Sequence, residues 1–295
     1  MIDSEIKTLF DSGVLMWRGF TLDQFMNQCY SNRLDLGKGK QMPVHYGDKK
    51  INFVTISSPV ATQIPQAVGS AYAYKMAQNN QCVVCYFGDG TASEGDAFVG
   101  FNFAITLKCP VIFICRNNAY AISTHVKDQY SGDGIISRCM GMGIPSIRVD
   151  GNDTLAVYFA CQMARDHALK YMEPVFIEAM TYRVGHHSTS DDSSAYRSKE
   201  EVDYWNTEQN PVQRLKKYMT NQGFWNDNLE AKLQKTSRSQ ILEAFNNAEK
   251  ELKPPIDEMF TDVYDKLPLN LIKQKEDLHR HLKIYGKHYP LDKYA

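Results

Sequence analysis

Three short stretches of this 295-residue chain combine residue types that could hold a phosphate and a metal ion. The first is Gly88-Asp89-Gly90, directly after the apolar run 82–87. Glycines on both sides let the backbone approach a phosphate closely, and Asp89 can offer a hard oxygen to a divalent cation. The second follows the apolar run 111–115 and reads Arg116-Asn117-Asn118-Ala119-Tyr120. Asn118 would supply an amide oxygen, and Tyr120 its main-chain carbonyl, to the same ion. Magnesium suits such a set, in which a few protein oxygens and two phosphate oxygens complete an octahedron. The third is Arg183, His186 and His187, at the entry to a Ser/Thr/Asp-rich stretch running to Arg197. Gly-Asp-Gly alone reads as a turn, and a lone histidine is more often structural than functional. Two motifs that each end an apolar run favour a shared site instead.

The elements that must position these residues alternate. Strand-like runs occur at 53–57, 82–87, 111–115, 146–149 and 175–179, with helical patterns at 65–78, 94–107 and 154–171. This order predicts an α/β fold with a parallel sheet flanked by helices. In such sheets ligands bind beyond the carboxyl ends of the strands, where all three stretches fall. From 199 onward the pattern is helical, over 199–205, 211–221, 226–250 and 270–285, with Pro254-Pro255 dividing the last two. The expected organisation is an N-terminal segment over 1–50, a ligand-binding α/β core over 51–200 and a helical C-terminal region over 201–295 packed on the core.

Composition narrows the partners. The formal net charge of −1 gives no electrostatic footprint for nucleic acid. No apolar stretch reaches the roughly 18–20 residues that a membrane helix needs. Seven cysteines are scattered, and Cys82 and Cys85 make a C-x-x-C inside a strand-like run. Residues three apart on a strand face opposite sides, so a redox pair or metal clip is not expected there. Reduced thiols fit an intracellular compartment. Met1-Ile2-Asp3-Ser4-Glu5-Ile6 carries acidic residues and no arginine, unlike a secretory signal or transit peptide.

Gly-Asp-Gly followed about 30 residues later by Asn-Asn resembles the thiamine-diphosphate signature. Around it the resemblance narrows to the α subunits of branched-chain 2-oxo acid dehydrogenases. It is carried by Ser93-Glu94-Gly95-Asp96, Gly100-Phe101-Asn102-Phe103-Ala104, Arg116-Asn117-Asn118 and Tyr120-Ala121-Ile122-Ser123-Thr124. The string Tyr182 to Ser198 and the tail Tyr285-Gly286-Lys287-His288-Tyr289-Pro290-Leu291-Asp292 complete it, so the match spans nearly the whole chain. The α subunit of pyruvate dehydrogenase shares the frame but is less similar in the histidine loop and at the C-terminus.

The resemblance implies a thiamine-diphosphate-binding fold and a site residue by residue. Asp89, Asn118 and the Tyr120 carbonyl would bind Mg²⁺; many branched-chain members have Glu at the first position. Arg116 and His187 would hold the diphosphate, His187 also meeting the reacting groups, while Gly90 and Thr91 give backbone contacts. Ser58 and Val60 would touch the aminopyrimidine side through their main chain. Ser57, Pro59, Thr62 and Gln63 match a K⁺ site, although the same residues read by themselves as a helix N-terminus. Ser188 and Ser198 match regulatory phosphorylation sites, or are ordinary loop residues.

The implied activity is oxidative decarboxylation of branched-chain 2-oxo acids with acyl transfer to lipoyl groups. The implied partners are a β subunit in an α₂β₂ tetramer, a lipoyl-bearing dihydrolipoyl acyltransferase core, and a regulatory kinase and phosphatase. The implied compartment is the mitochondrial matrix. The β subunit contributes the glutamate that faces the aminopyrimidine. One departure stands out: full-length relatives have a tyrosine–arginine pair where this chain reads Leu9-Phe10, and that arginine grasps the diphosphate. The expectation is an N-terminally truncated chain with weakened cofactor affinity. A non-catalytic assembly subunit of the same complex is the alternative.

Overall fold

The computed structural model describes residues 9–295, with side chains from Ser12 onward. The Met1–Ile6 stretch and the side chains of Leu9 and Phe10 lie outside the described residues. Eleven α-helices and six strands follow in chain order. The helices are α1 Leu9–Trp17, α2 Leu22–Tyr30, α3 Gln63–Met76, α4 Gly95–Thr106, α5 Val126–Gln129, α6 Ile136–Gly141, α7 Thr154–Tyr171, α8 Lys199–Thr207, α9 Pro211–Asn221, α10 Asp227–Lys250 and α11 Leu269–Tyr285. The strands are β1 Val83–Gly88, β2 Val111–Asn117, β3 Tyr120–Ala121, β4 Thr124–His125, β5 Ser146–Asp150 and β6 Val175–Met180. None of the described helices is long and apolar enough to cross a membrane.

Asn52–Lys232 belong to one compact unit, and Gly13–Ile51 with Leu233–Ala295 form a second. The first contains a four-stranded sheet of order β1-β2-β6-β5, parallel throughout. Its central strands β2 and β6 are buried on both faces, as their near-continuous apolar runs require, while the edge strand β5 is only partly covered. Val83, Cys85, Phe87, Phe113 and Cys115 join α3, α4 and α6 in one core. Val84, Tyr86, Ile112, Ile114 and Ile177 join α7 in the other. The helix α7 presents Ala160, Ala164 and Ala168 to the strands, four residues apart and therefore on one face. Cys82 and Cys85 fall in different cores and form no disulfide with each other.

Helix–helix packing on the first face depends on Gly100. A Cβ there would lie 2.6 Å from a methyl of Ile64, so only glycine lets α4 approach α3 this closely. The run 53–57 is extended but belongs to neither sheet. Its buried residues are Phe53 and Ile56, three apart, with Val54 exposed. The short α6 and the β3–β4 hairpin went unrecognised in the sequence because neither is long enough to show a period.

The second unit is joined by side chains from distant parts of the chain. Asn32 donates to the Ala248 carbonyl at 3.1 Å, Arg33 pairs with Glu251 at 2.8 Å, and Tyr30 packs edge-on against Phe245. Lys38 bridges Glu258 and Asp262, at 2.8 Å to each.

Candidate functional site

The parallel sheet directs the ends of β1, β2 and β6 to one edge, and the first two motifs meet there. Asp89 follows β1 and is 1% exposed. Its Oδ1 accepts the Asn118 main-chain N–H at 3.2 Å, and its Oδ2 accepts from the Gln129 amide at 3.0 Å. Burial raises the Asp89 pKa, against the hydrogen bonds from Gln129 and Asn118. A carboxylate drawn out of water with only neutral direct donors is suited to receive a cation. The Asn118 amide oxygen accepts the Tyr120 N–H at 3.2 Å, which fixes the turn between β2 and β3. Ala119 in that turn has φ of +71°, a conformation an alanine holds only when its surroundings enforce it. Gly90 is required on the opposite wall, because a Cβ there would come within 2.9 Å of the Ala121 side chain.

The Tyr120 carbonyl accepts from Arg183 Nη1 at 3.2 Å, so the strand-end turn and the histidine stretch adjoin. Arg183 also donates to the Ile122 carbonyl and to the Tyr196 hydroxyl at 2.9 Å. A carbonyl oxygen has two lone pairs, and the one Arg183 leaves free can face an ion. Among the described residues no three His, Cys, Asp or Glu side chains gather as metal ligands. A cation here would rest on one carboxylate with amide and carbonyl oxygens, the donor set that magnesium takes beside phosphates.

Residues 183–198 are closely tied together. Arg197 is buried and donates to the carbonyls of Arg183, Val184 (3.0 Å) and Gly185 (2.7 Å) and to Ser193 Oγ at 2.9 Å. Asp191 accepts the His187 N–H at 2.8 Å and the Tyr196 hydroxyl at 2.7 Å. Those bonds, the backbone one foremost, lower the Asp191 pKa. His186 Nδ1 accepts the Ser193 N–H at 3.1 Å, a contact that staples the loop. Ser188 lies 3.3 Å from the Ser190 hydroxyl. Ser198 caps α8 by accepting the Glu201 N–H at 3.1 Å. Its neighbour Tyr196 was invisible as a site residue in the sequence, as were Asp191, Arg197 and Gln129. A buried arginine is a surface residue by composition alone, and only the fold turns it inward.

Thr62 Oγ1 donates to the Pro59 carbonyl at 3.0 Å, which brings two oxygens of the 57–63 stretch together. Gln63 is 2% exposed, and neither its amide oxygen nor its nitrogen has a hydrogen-bond partner within the described chain. An orphaned buried amide is costly unless something fills its coordination.

Residues 3–257 match the family described as Dehydrogenase E1 component. The chain belongs to that family. Its parallel α/β body is the thiamine-diphosphate-binding fold of that family, as the paired motifs imply. Among curated relatives, the 2-oxoisovalerate dehydrogenase subunit alpha, mitochondrial, of Mus musculus is 60% identical over 282 residues. That alignment covers 96% of this chain and 64% of the relative. The protein of the same name from Homo sapiens is 60% identical, over 96% of this chain and 63% of its own length. That of Dictyostelium discoideum is 53% identical, over 100% and 67%. The chain thus spans about two thirds of the length of the curated relatives it matches.

Within an E1 component, the residues at the sheet edge fall into two groups. Asp89, Asn118, Tyr120, Gly90 and Thr91 cluster at the ends of β1 and β2. His187 and Ser188 sit on the loop after β6, with Arg183 joining the two groups. Arg116 ends β2 beside Asn117, partly buried. Ser58 and Val60 are exposed, ahead of α3.

Proposed function

We propose that this chain is the α subunit of a branched-chain 2-oxo acid dehydrogenase, binding Mg²⁺ and the diphosphate half of thiamine diphosphate. The observation that carries the reading is the buried Asp89 carboxylate bonded to the Asn118–Tyr120 turn through the Asn118 N–H, in a chain 60% identical to 2-oxoisovalerate dehydrogenase α subunits. The reading is of the branched-chain type rather than the pyruvate type because the relatives that align over 96% of the chain at 60% identity are named 2-oxoisovalerate dehydrogenase subunits.

Asp89, Asn118 and the Tyr120 carbonyl would hold the Mg²⁺. Gly90 and Thr91 would offer main-chain donors, Arg116 and His187 would meet the diphosphate, and Ser58 and Val60 would face the aminopyrimidine side through their main chain. Ser57, Pro59, Thr62 and Gln63 would take a K⁺ ion, and the unpartnered Gln63 amide supports that assignment. Thiamine diphosphate, when bound, supplies the carbanion stabilisation that decarboxylation of a 2-oxo acid needs. The residues of this chain anchor and neutralise the diphosphate. His187, on the tied loop, holds or moves a proton near the reacting groups.

The remaining half of the site would come from a β subunit in an α₂β₂ tetramer, with the acyl group passing to a lipoyl-bearing acyltransferase core. Exposed apolar side chains support a subunit role: Met76, Val99 and Phe103 on α3 and α4, and Tyr158, Phe159 and Met163 on α7. Phosphorylation of Ser188 by a regulatory kinase would add nearly two negative charges beside the diphosphate, and a phosphatase would reverse it. Ser198 is the second candidate. The compartment would be the mitochondrial matrix, in keeping with the relatives' printed names.

Calorimetric titration of thiamine diphosphate with Mg²⁺ into the chain paired with a β subunit tests the reading. Asp89→Ala should weaken binding at least ~100-fold, since a charged metal ligand is lost. Equal affinity in parent and variant would refute the metal assignment.

A further inference from the structure

Deep behind the metal turn lies a carboxylate that the site described above does not use. Glu178 sits in the middle of β6, wholly buried among apolar strand residues. Its Oε1 accepts the Asn117 side-chain amide at 2.9 Å. Its Oε2 accepts Arg148 Nε and Nη2, both at 3.1 Å. The main-chain N–H groups of Ile135 and Ile136 at the start of α6 add longer contacts of 3.4 and 3.3 Å. Burying a carboxylate is costly even when it is paired, as here with the partly exposed Arg148, so its presence calls for another explanation.

The explanation is the orientation of Asn117. A carboxylate can only accept, so it forces the amide nitrogen of Asn117 towards itself and the amide oxygen away. The nitrogen's second proton is directed at the Tyr130 hydroxyl, 3.3 Å distant. The oxygen then accepts the Ala119 N–H at 3.2 Å. That bond supports the positive φ of Ala119 in the turn whose Asn118 N–H donates to Asp89 and whose Asn118 amide oxygen accepts the Tyr120 N–H. We propose that Glu178 is a positioning residue, which through the Asn117 amide sets the turn that presents Asn118 and the Tyr120 carbonyl to the metal. The role rests on the cofactor reading given above. Glu178 touches neither metal nor cofactor and acts only through Asn117.

The test exchanges the polarity of the pair. Asn117→Asp sets two carboxylates against each other and should free the turn. Glu178→Gln removes the negative acceptor. In the double variant the glutamine amide can donate to the new aspartate, whose other oxygen still accepts the Ala119 N–H. Hydrogen exchange of the 117–121 segment in the full chain reads the turn without any cofactor. Asn117→Asp should speed it at least ~10-fold while leaving α7 protected, and the double variant should restore most of that loss. Affinity for thiamine diphosphate with Mg²⁺, measured with a β subunit, should fall at least ~10-fold in Asn117→Asp and recover in the double variant. Unchanged exchange at 117–121, or a double variant no better than the worse single one, overturns the role of Glu178. Failure of the unsubstituted chain to bind the cofactor, with exchange behaving as expected, overturns the cofactor reading and leaves the turn mechanism standing.

Discussion

The two groups of candidate residues are held by different physics. The Asp89–Asn118–Tyr120 turn is an extension of the sheet. It follows directly from strands paired in register, Gly88 with Arg116 and Asn117 with Met180, and its carboxylate is almost wholly buried. The loop 183–198 has no strand or α-helix and is closed by one buried arginine, one aspartate and a handful of hydroxyls. The first is anchored at its base by those paired strands. The second depends on a few polar bonds, each net worth about 0.5–3 kcal/mol. A rigid turn suits a permanent ion, and a loop of that kind suits regulation by a modification.

Arg197→Ala should break the comparison most clearly. Losing a guanidinium that bonds three carbonyls and the Ser193 hydroxyl removes the contacts that tie the two ends of the loop together. Hydrogen exchange across 184–193 should accelerate at least ~10-fold, with the 88–91 segment unchanged. Acceleration in both regions would mean that they form one cooperative unit after all.

A smaller effect separates the loop by pH. The His187 N–H and the Tyr196 hydroxyl hold the Asp191 carboxyl below its ordinary pKa of 3.8. A depressed pKa stabilises the loop at every pH above that ordinary value, and the contribution is lost only as pH falls through the lower folded value. The Asp191 contribution to loop order should therefore stay level from neutral pH down to about 4, as the ordinary carboxylate range implies. Carbon-detected titration of Asp191 should give a midpoint under 3.8, and Tyr196→Phe should raise it. A midpoint at or above the ordinary value would show that the two bonds do not form in solution.

The smallest effect concerns the end of the loop. Ser198→Ala removes the α8 cap and should cost about 1 kcal/mol, lowering Tm by about 2–4 °C. Ser198→Asp should keep the cap. If Asp behaves like Ala in a melting experiment, the capping contact is not the role of this residue.

Much of the first group could be read directly. An apolar run ending in Gly-Asp-Gly and another ending in Asn-Asn define two strand ends, and β1 and β2 are adjacent in the sheet. The strand-like runs from 82 onward and every helical pattern named from 65 to 285 correspond to elements found. The run 53–57 has the apolar composition of a strand, but it finds no place in either sheet. Glu178 left one trace, a single charge inside Val175-Phe176-Ile177-Glu178-Ala179, but no pattern named its partner.

Sequence by itself determined the four strands of the parallel sheet, the longer helices from 63 onward and the chemistry offered at the strand ends, because those depend on neighbours a few residues apart. Tertiary structure alone decided which groups meet. Gln129 reaches Asp89 from 40 positions away, and Asn117 reaches Glu178 from 61. It also decided that residues 13–51 share a unit with 233–295. Pairings of that kind arise from packing two-dimensional faces together, and no one-dimensional period records them.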